Sequence, residues 1–150
     1  MSPLAVGDRA PAVAGVRLGD GPVGLFFYKV TCPTCQLAAP TMRAFEDAFP
    51  GRVVGVGQDP ADKLERFAER FSMGIRSVED PPPYPASDAY GVVSVPTLYL
   101  VGEDGRVLES VGAWDRDGFN RVAASLARLT GGPAVEVSTP GDGLPAFKPG

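Results

Sequence analysis

The chain has 150 residues, a size at which one domain can bury a large share of its surface in a single core. Hydrophobic residues make up 44% and charged residues 21%, an ordinary soluble composition that argues against disorder and membrane-spanning classes. A formal net charge of −4, with no basic run, argues against a nucleic-acid or anionic-membrane surface, so the expected partners are proteins or small molecules.

The opening segment, MSPLAVGDRAPAVAG, has no basic stretch leading into an apolar one, and no apolar run approaches a membrane span. A cytoplasmic protein is expected, or an extracytoplasmic one if a leader has been removed. Residues 3–22 carry Gly7, Pro11, Gly15, Gly19, Gly21 and Pro22 between short apolar pieces such as Val13 to Leu18. This predicts short strands and turns ahead of the main fold. PVGLFFYKV, ending at Val30, is a nearly continuous apolar run of strand length, the pattern of a strand buried on both faces.

From Pro33 to Phe49, apolar Leu37, Ala38, Met42, Phe45 and Phe49 recur at three- and four-residue intervals, and Pro50-Gly51 closes the segment. This predicts an amphipathic helix with Pro33 in its first turn, where a missing N–H costs nothing. RVVGVGQ is a second buried strand, and ADKLERFAERF places Leu64, Phe67, Ala68 and Phe71 on one stripe of a second helix. A proline-rich loop follows, with a short strand near Ser77 to Glu79 and one helical turn before Gly91. TLYLVGEDGRVLESVG is two strand-like runs joined by Glu-Asp-Gly, a hairpin signal. The closing helix starts at an acidic cap near Asp115, is apolar through Phe119, Val122, Ala123, Leu126 and Leu129, and stops at Gly131. Residues 132–150 are rich in Pro and Gly and predict an extended or loosely packed tail behind a single domain of residues 1–131. Strand-helix alternation followed by an antiparallel pair implies an α/β fold, with a mixed central sheet flanked by helices on both faces.

The only two cysteines, Cys32 and Cys35, fall where the first buried strand gives way to the first helix. Residues three apart on a helix face the same way, so their sulfurs can meet with little backbone movement. A thiolate at the helix start is stabilised by unpaired amide hydrogens and the helix dipole, which lowers a thiol pKa. That makes Cys32 the nucleophile and Cys35 the resolving partner. Three other readings compete. A zinc site needs about four ligands, and the chain has no histidine and no further cysteine, so thiolates could bind the metal only across an oligomer interface. Two inert buried cysteines are a second reading. A non-enzymatic binding module that keeps the fold is the third. A Cys-x-x-Cys at a strand-to-helix junction in a βαβ pattern is a specific redox signal and favours chemistry.

The chain resembles the thioredoxin superfamily over about residues 5–130, and its N-terminal β extension and inserted helix between 61 and 73 make it most similar to the TlpA/ResA-like thiol-disulfide oxidoreductases (redoxins). The matches are Cys32-Pro33-Thr34-Cys35 after an apolar strand, Pro40 five residues beyond the second cysteine, the segment AYGVVSVPTLYLVGEDGRV, and GDRAPAV near the start. The resemblance implies a cis bond at Val95-Pro96 lying against the cysteines, with the Val95 backbone pairing with an extended substrate segment. Pro33, Thr34 and Pro40 are then supporting residues, and Pro40 kinks the helix. It also implies a redox-active disulfide with no separate cofactor and no metal, and partners that are protein thiols or disulfides. A reductase or low-molecular-weight thiol would serve as electron donor to a monomer, and the reducing surroundings expected without a leader make the reductase direction more natural than disulfide formation.

Two departures stand inside this pattern. Thr31 replaces the tryptophan usual before the first cysteine, and Phe26 replaces the acid that many thioredoxins place six residues before it. In the TlpA-like branch an acid can come from the segment after the next strand, where Asp59 is the ionisable residue; its alternative role is a cap for the helix starting near Ala61. Glu79 is a weaker candidate. A peroxiredoxin-like thiol peroxidase is the competing activity, but its Pro-x-x-x-Thr/Ser-x-x-Cys pattern placed on Cys35 would need Pro and Thr or Ser where the chain has Tyr28 and Cys32. A redox-inert interaction module is the remaining class.

Overall fold

The computed structural model describes residues 3–150. Strand β1 (Val23–Tyr28) is central: it pairs in parallel with β2 (Val53–Gly57) and antiparallel with β4 (Thr97–Val101). Strand β3 (Ser77–Glu79) extends the sheet beyond β2 in parallel, and β5 (Val107–Gly112) extends it beyond β4 as the second arm of the hairpin. The order is β3-β2-β1-β4-β5. Every residue of β1, β2 and β4 is buried, the property that their unbroken apolar runs encode.

The two-residue alternation of a strand splits these side chains between two cores. Phe26, Tyr28, Leu98 and Leu100 face the layer formed by helices α1 (Pro33–Ala48), α2 (Ala61–Arg70) and α4 (Arg116–Thr130). Leu25, Phe27, Tyr99 and Val101 face the opposite side, where Tyr90 from the end of the short helix α3 (Pro85–Ala89) packs with Val13 and partly buried Val16 and Leu18. Helices therefore cover both faces, unequally. Helix α4 is bounded as its residues dictate: the Asp115 carboxylate accepts the Gly118 amide, and Gly131 ends the helix at φ 73°.

Two expectations are corrected. The N-terminal β extension is reduced to a single bridge between Arg9 and Arg106, although Gly7 and Ala10 donate amides to the carbonyls of Val107 and Gly105. Gly7, Gly15, Gly19 and Gly21 all take positive φ, and Pro11 lacks an amide, so no ladder can run through this segment.

The tail is the second correction. Residues 132–150 turn back along α4, where Val137 and Ser138 are buried. Arg116, 9% exposed, donates to the Ser138 hydroxyl, to Asp142 and to the Leu144 carbonyl, and the Asn120 side chain bonds the backbone of Val137 and Ser138. The Asp142 carboxyl, held first by the Ser138 hydroxyl, lies below its ordinary range. The tail then adds a strand, β7 (Phe147–Lys148), antiparallel to β6 (Trp114–Asp115), a two-stranded sheet that composition did not announce. A proline- and glycine-rich segment is held here because polar side chains on α4 satisfy its backbone groups.

At the end of β2, a β-carbon on Gly57 would collide with the buried Leu64 side chain of α2. Gly57→Ala should cost about 1–3 kcal/mol, read as a lower urea midpoint with an unchanged slope.

Candidate active site

The site is built at the C-terminal end of β1. Three residues, Lys29 to Thr31, lead from Tyr28 to Cys32, which sits at the N-cap of α1 in extended conformation with φ −84° and ψ 115°. Pro33 follows in the first helical turn, where its absent amide leaves no bond unmade. The Cys32 sulfur accepts the Cys35 amide at 3.1 Å, the bond that a serine or aspartate makes at this position. One helix start thus orients both cysteines.

The two thiols differ in surroundings. Cys32 is partly exposed and Cys35 is fully buried. Burial pushes the Cys35 thiol well above its ordinary range, and its hydrogen bond with Cys32 pushes the same way, outweighing the Lys29 amide and ammonium. Beneath them, the Tyr28 hydroxyl shares a 2.7 Å hydrogen bond with Ser77, and burial raises the phenol to about 12.

Across from the helix start, the Val95–Pro96 peptide bond is cis. The Cys32 thiol points to the Val95 carbonyl at 3.6 Å, so the residue preceding this proline lies against the more exposed sulfur. A second cis bond, Pro82–Pro83, lies in the proline-rich loop. Pro40 is inside α1 on its exposed side, and as a proline it leaves the Gln36 carbonyl without its usual helical donor.

Asp59 neither caps α2 nor bonds Cys35. The N-cap of α2 is Pro60, without a side-chain cap, and the carboxylate that receives the Ala61 amide belongs to Glu79. Asp59 instead accepts the Val30 amide at 2.9 Å, while Gln36 donates to the Val30 carbonyl at 3.0 Å. The cysteine loop is clamped from both sides by these two residues. Gln36 was not singled out by sequence reasoning; the available signal was a long polar side chain one turn beyond Cys32, on the same face of the helix. Phe26 is fully buried and stacks on Tyr28 with ring centroids 5.5 Å apart, so the position that could have held an acid belongs to the core. Thr31 is exposed, and Thr34 is buried, its hydroxyl donating to the Pro149 carbonyl at 2.7 Å. Among the described residues, no cluster of three or more His, Cys, Asp or Glu is placed to hold a metal.

A mixed five-stranded sheet with Cys-x-x-Cys at the start of its first helix and a proline loop across from it defines a thioredoxin-like α/β protein. Residues 13–110 match the AhpC/TSA family, and the chain belongs to that family. Among solved structures it is similar to MTB dsbF in mixed oxidised and reduced forms, at 27% identity and a TM-score of 0.61, covering 73% of this chain and 82% of that one. The thioredoxin domain of a thiol-disulfide oxidoreductase from Bacteroides vulgatus shares the fold at 21% identity and a TM-score of 0.69, covering 82% and 99% of the two chains. So does a secreted Mycobacterium tuberculosis disulfide oxidoreductase homologous to E. coli DsbE, at 24% identity and a TM-score of 0.59, covering 71% and 83%. No curated protein matches the chain. The resemblance to thioredoxin-like thiol-disulfide oxidoreductases thus stands.

Two outcomes follow from the geometry. The folded chain keeps the Cys35 proton at pH values where the unfolded chain has lost it, so stability of the reduced protein should fall as pH rises above about 8.5, by up to about 1.4 kcal/mol per unit. Urea titrations at pH 8 and 10 should show this loss, and Cys35→Ala should reduce it. Asp59→Ala should destabilise by about 1–3 kcal/mol because the Val30 amide loses its acceptor, whereas Asp59→Asn, which keeps an acceptor, should lose less in the same titration.

Proposed function

We propose that the chain is a thiol-disulfide oxidoreductase that reduces disulfides in protein partners. The observation carrying this reading is the asymmetric pair: a partly exposed Cys32 sulfur receiving the Cys35 amide and facing Val95, with Cys35 buried one turn behind. Cys32 as thiolate attacks one sulfur of the partner disulfide, the partner S–S bond breaks, and the other sulfur leaves as a thiolate that takes up a proton. The Cys32–partner mixed disulfide then meets Cys35. Once deprotonated, Cys35 attacks the Cys32 sulfur, forms the internal disulfide and expels the second partner thiol. Two electrons pass from the dithiol to the partner. A reductase or a low-molecular-weight thiol returns them.

The Cys35 amide points at the sulfur that must carry negative charge during attack, and Val95, immediately before the cis proline, offers backbone to an extended partner segment. Asp59 and Gln36 act as positioning residues by holding Val30. Burial keeps Cys35 protonated and in reserve until Cys32 has bonded to a partner. The direction, reduction of the partner, is part of the proposal and is read out by the reduction potential. The names of the structural neighbours support exchange chemistry at a site of this shape.

Cys32→Ser should abolish insulin reduction with dithiothreitol as donor, and Cys35→Ser should trap partners as mixed disulfides that dissolve on reduction. The reduction potential should lie nearer the roughly −270 mV of thioredoxin than the roughly −120 mV of DsbA. Normal turnover by Cys35→Ser, or fast hydrogen peroxide consumption without insulin reduction, would overturn the reading.

A further inference from the structure

The end of the described chain lies on the backbone surfaces that the proposed exchange needs. Three anchors bring it there: the Trp114 indole donates to the Pro145 carbonyl at 2.7 Å, the Arg116 amide donates to the Ala146 carbonyl at 3.0 Å, and β7 pairs with β6. From this edge the chain passes over the start of α1, where the hydroxyl of Thr34, between the two cysteines, holds the Pro149 carbonyl at 2.7 Å. Gly150 then lies against Val95 and Pro96, so close that a β-carbon on it would overlap the Val95 carbonyl and touch Pro96 Cδ. Val95 lies against the Cys32 sulfur, and Thr34 stands two residues beyond Cys32 in the first turn of α1.

We propose that residues 147–150 form a self-inhibitory strap, which fills the place of an extended partner chain beside Cys32 and must lift before a protein disulfide docks. This rests on the exchange function proposed above. The strap is lightly held where it crosses the site. Phe147 is 57% exposed, and Pro149 and Gly150 are exposed, so little apolar surface keeps these residues down. Firm attachment lies upstream, where Val137 and Ser138 are buried and Arg116 and Asn120 satisfy the tail backbone. A segment pinned at its base, with few buried contacts at its tip, is the kind that opens locally without global unfolding. Cys32 itself remains partly exposed, so the strap discriminates by size: small disulfides reach the sulfur while a folded partner is held off.

The test compares the full chain, a variant lacking residues 147–150, and the full-length Lys148→Pro variant, in which β7 loses an amide hydrogen. Deletion should speed insulin reduction by roughly 5- to 30-fold, the gain expected when a closed-to-open ratio of that size is removed, with Lys148→Pro giving a smaller gain. Reduction of bis(2-hydroxyethyl) disulfide should stay unchanged on deletion. Alkylation of reduced Cys32 supplies a readout independent of turnover: a polyethylene-glycol maleimide should react faster in both variants, while iodoacetamide reacts at the native rate. If neither variant changes the insulin or bulky-maleimide rate, or if deletion slows insulin reduction, the strap is overturned. If the chain reduces neither disulfide, the exchange reading fails, and the maleimide comparison still decides whether the strap covers the site. Far-ultraviolet circular dichroism and an unchanged urea slope verify that each variant is folded; should the deletion variant misfold, Lys148→Pro carries the test.

Discussion

Strand β1 is buried on both faces and bonded along both edges, and the site is placed relative to its C-terminal end. Pairing with β2 and β4 holds Tyr28 in the middle of the sheet, so the three residues after it emerge at a position set by five strands. Cys32 then caps α1 with its sulfur, and the same bond that starts the helix fixes the distance between the cysteines. Helix α1 is held against the sheet by Ala38, Ala39, Met42 and Phe45, all fully buried. Core packing and site geometry are therefore one construction, and a disturbance that lets α1 shift would move Cys35 relative to Val95.

The local electrostatics follow from burial more than from neighbouring charges. Phe26 and Tyr28 fill the space under the cysteines with aromatic surface, and the first cause of the raised Cys35 and Tyr28 values is desolvation. Three carboxylates, two nearer the surface and one buried, are committed to backbone amides: Asp59 to Val30, Glu79 to Ala61, and buried Asp80 to Ala86 and Ser87. They order the loops around the site. A dry floor beneath a partly exposed Cys32 suits the proposed exchange, in which the second thiol reacts only after the first has bonded to a partner.

The tail connects this chemistry to the rest of the surface. Its attachment depends on Arg116 and Asn120, two polar residues on α4 that reach Ser138, Asp142 and Leu144. Trp114, fully buried and stacked edge-on with Phe119, supplies both an anchor for Pro145 and a strand edge for β7. In the strap proposal, a partner docking beside Cys32 meets this segment first.

Much of the frame was legible along the chain because it rests on local patterns. The unbroken apolar runs of β1, β2 and β4, the three- and four-residue spacing of α1, α2 and α4, and the caps at Asp115 and Gly131 depend only on neighbours in sequence. So does the pairing of Cys32 with Cys35, three residues apart on a helix start. The clamp on Val30 by Asp59 and Gln36, the cap on α2 by Glu79, and the resting place of residues 145–150 were not legible in this way. Apart from the Gln36 bond to Val30, six residues away, each joins groups distant in sequence, up to 115 residues in the contact between Thr34 and Pro149. A flexible segment carries no periodic signal of where it will dock, and the strand edge and polar side chains that receive it exist only once the sheet and α4 have packed. Sequence by itself therefore determined the elements and the placement of the cysteine pair, while tertiary structure decided what surrounds that pair, because those bonds form only between surfaces that folding creates.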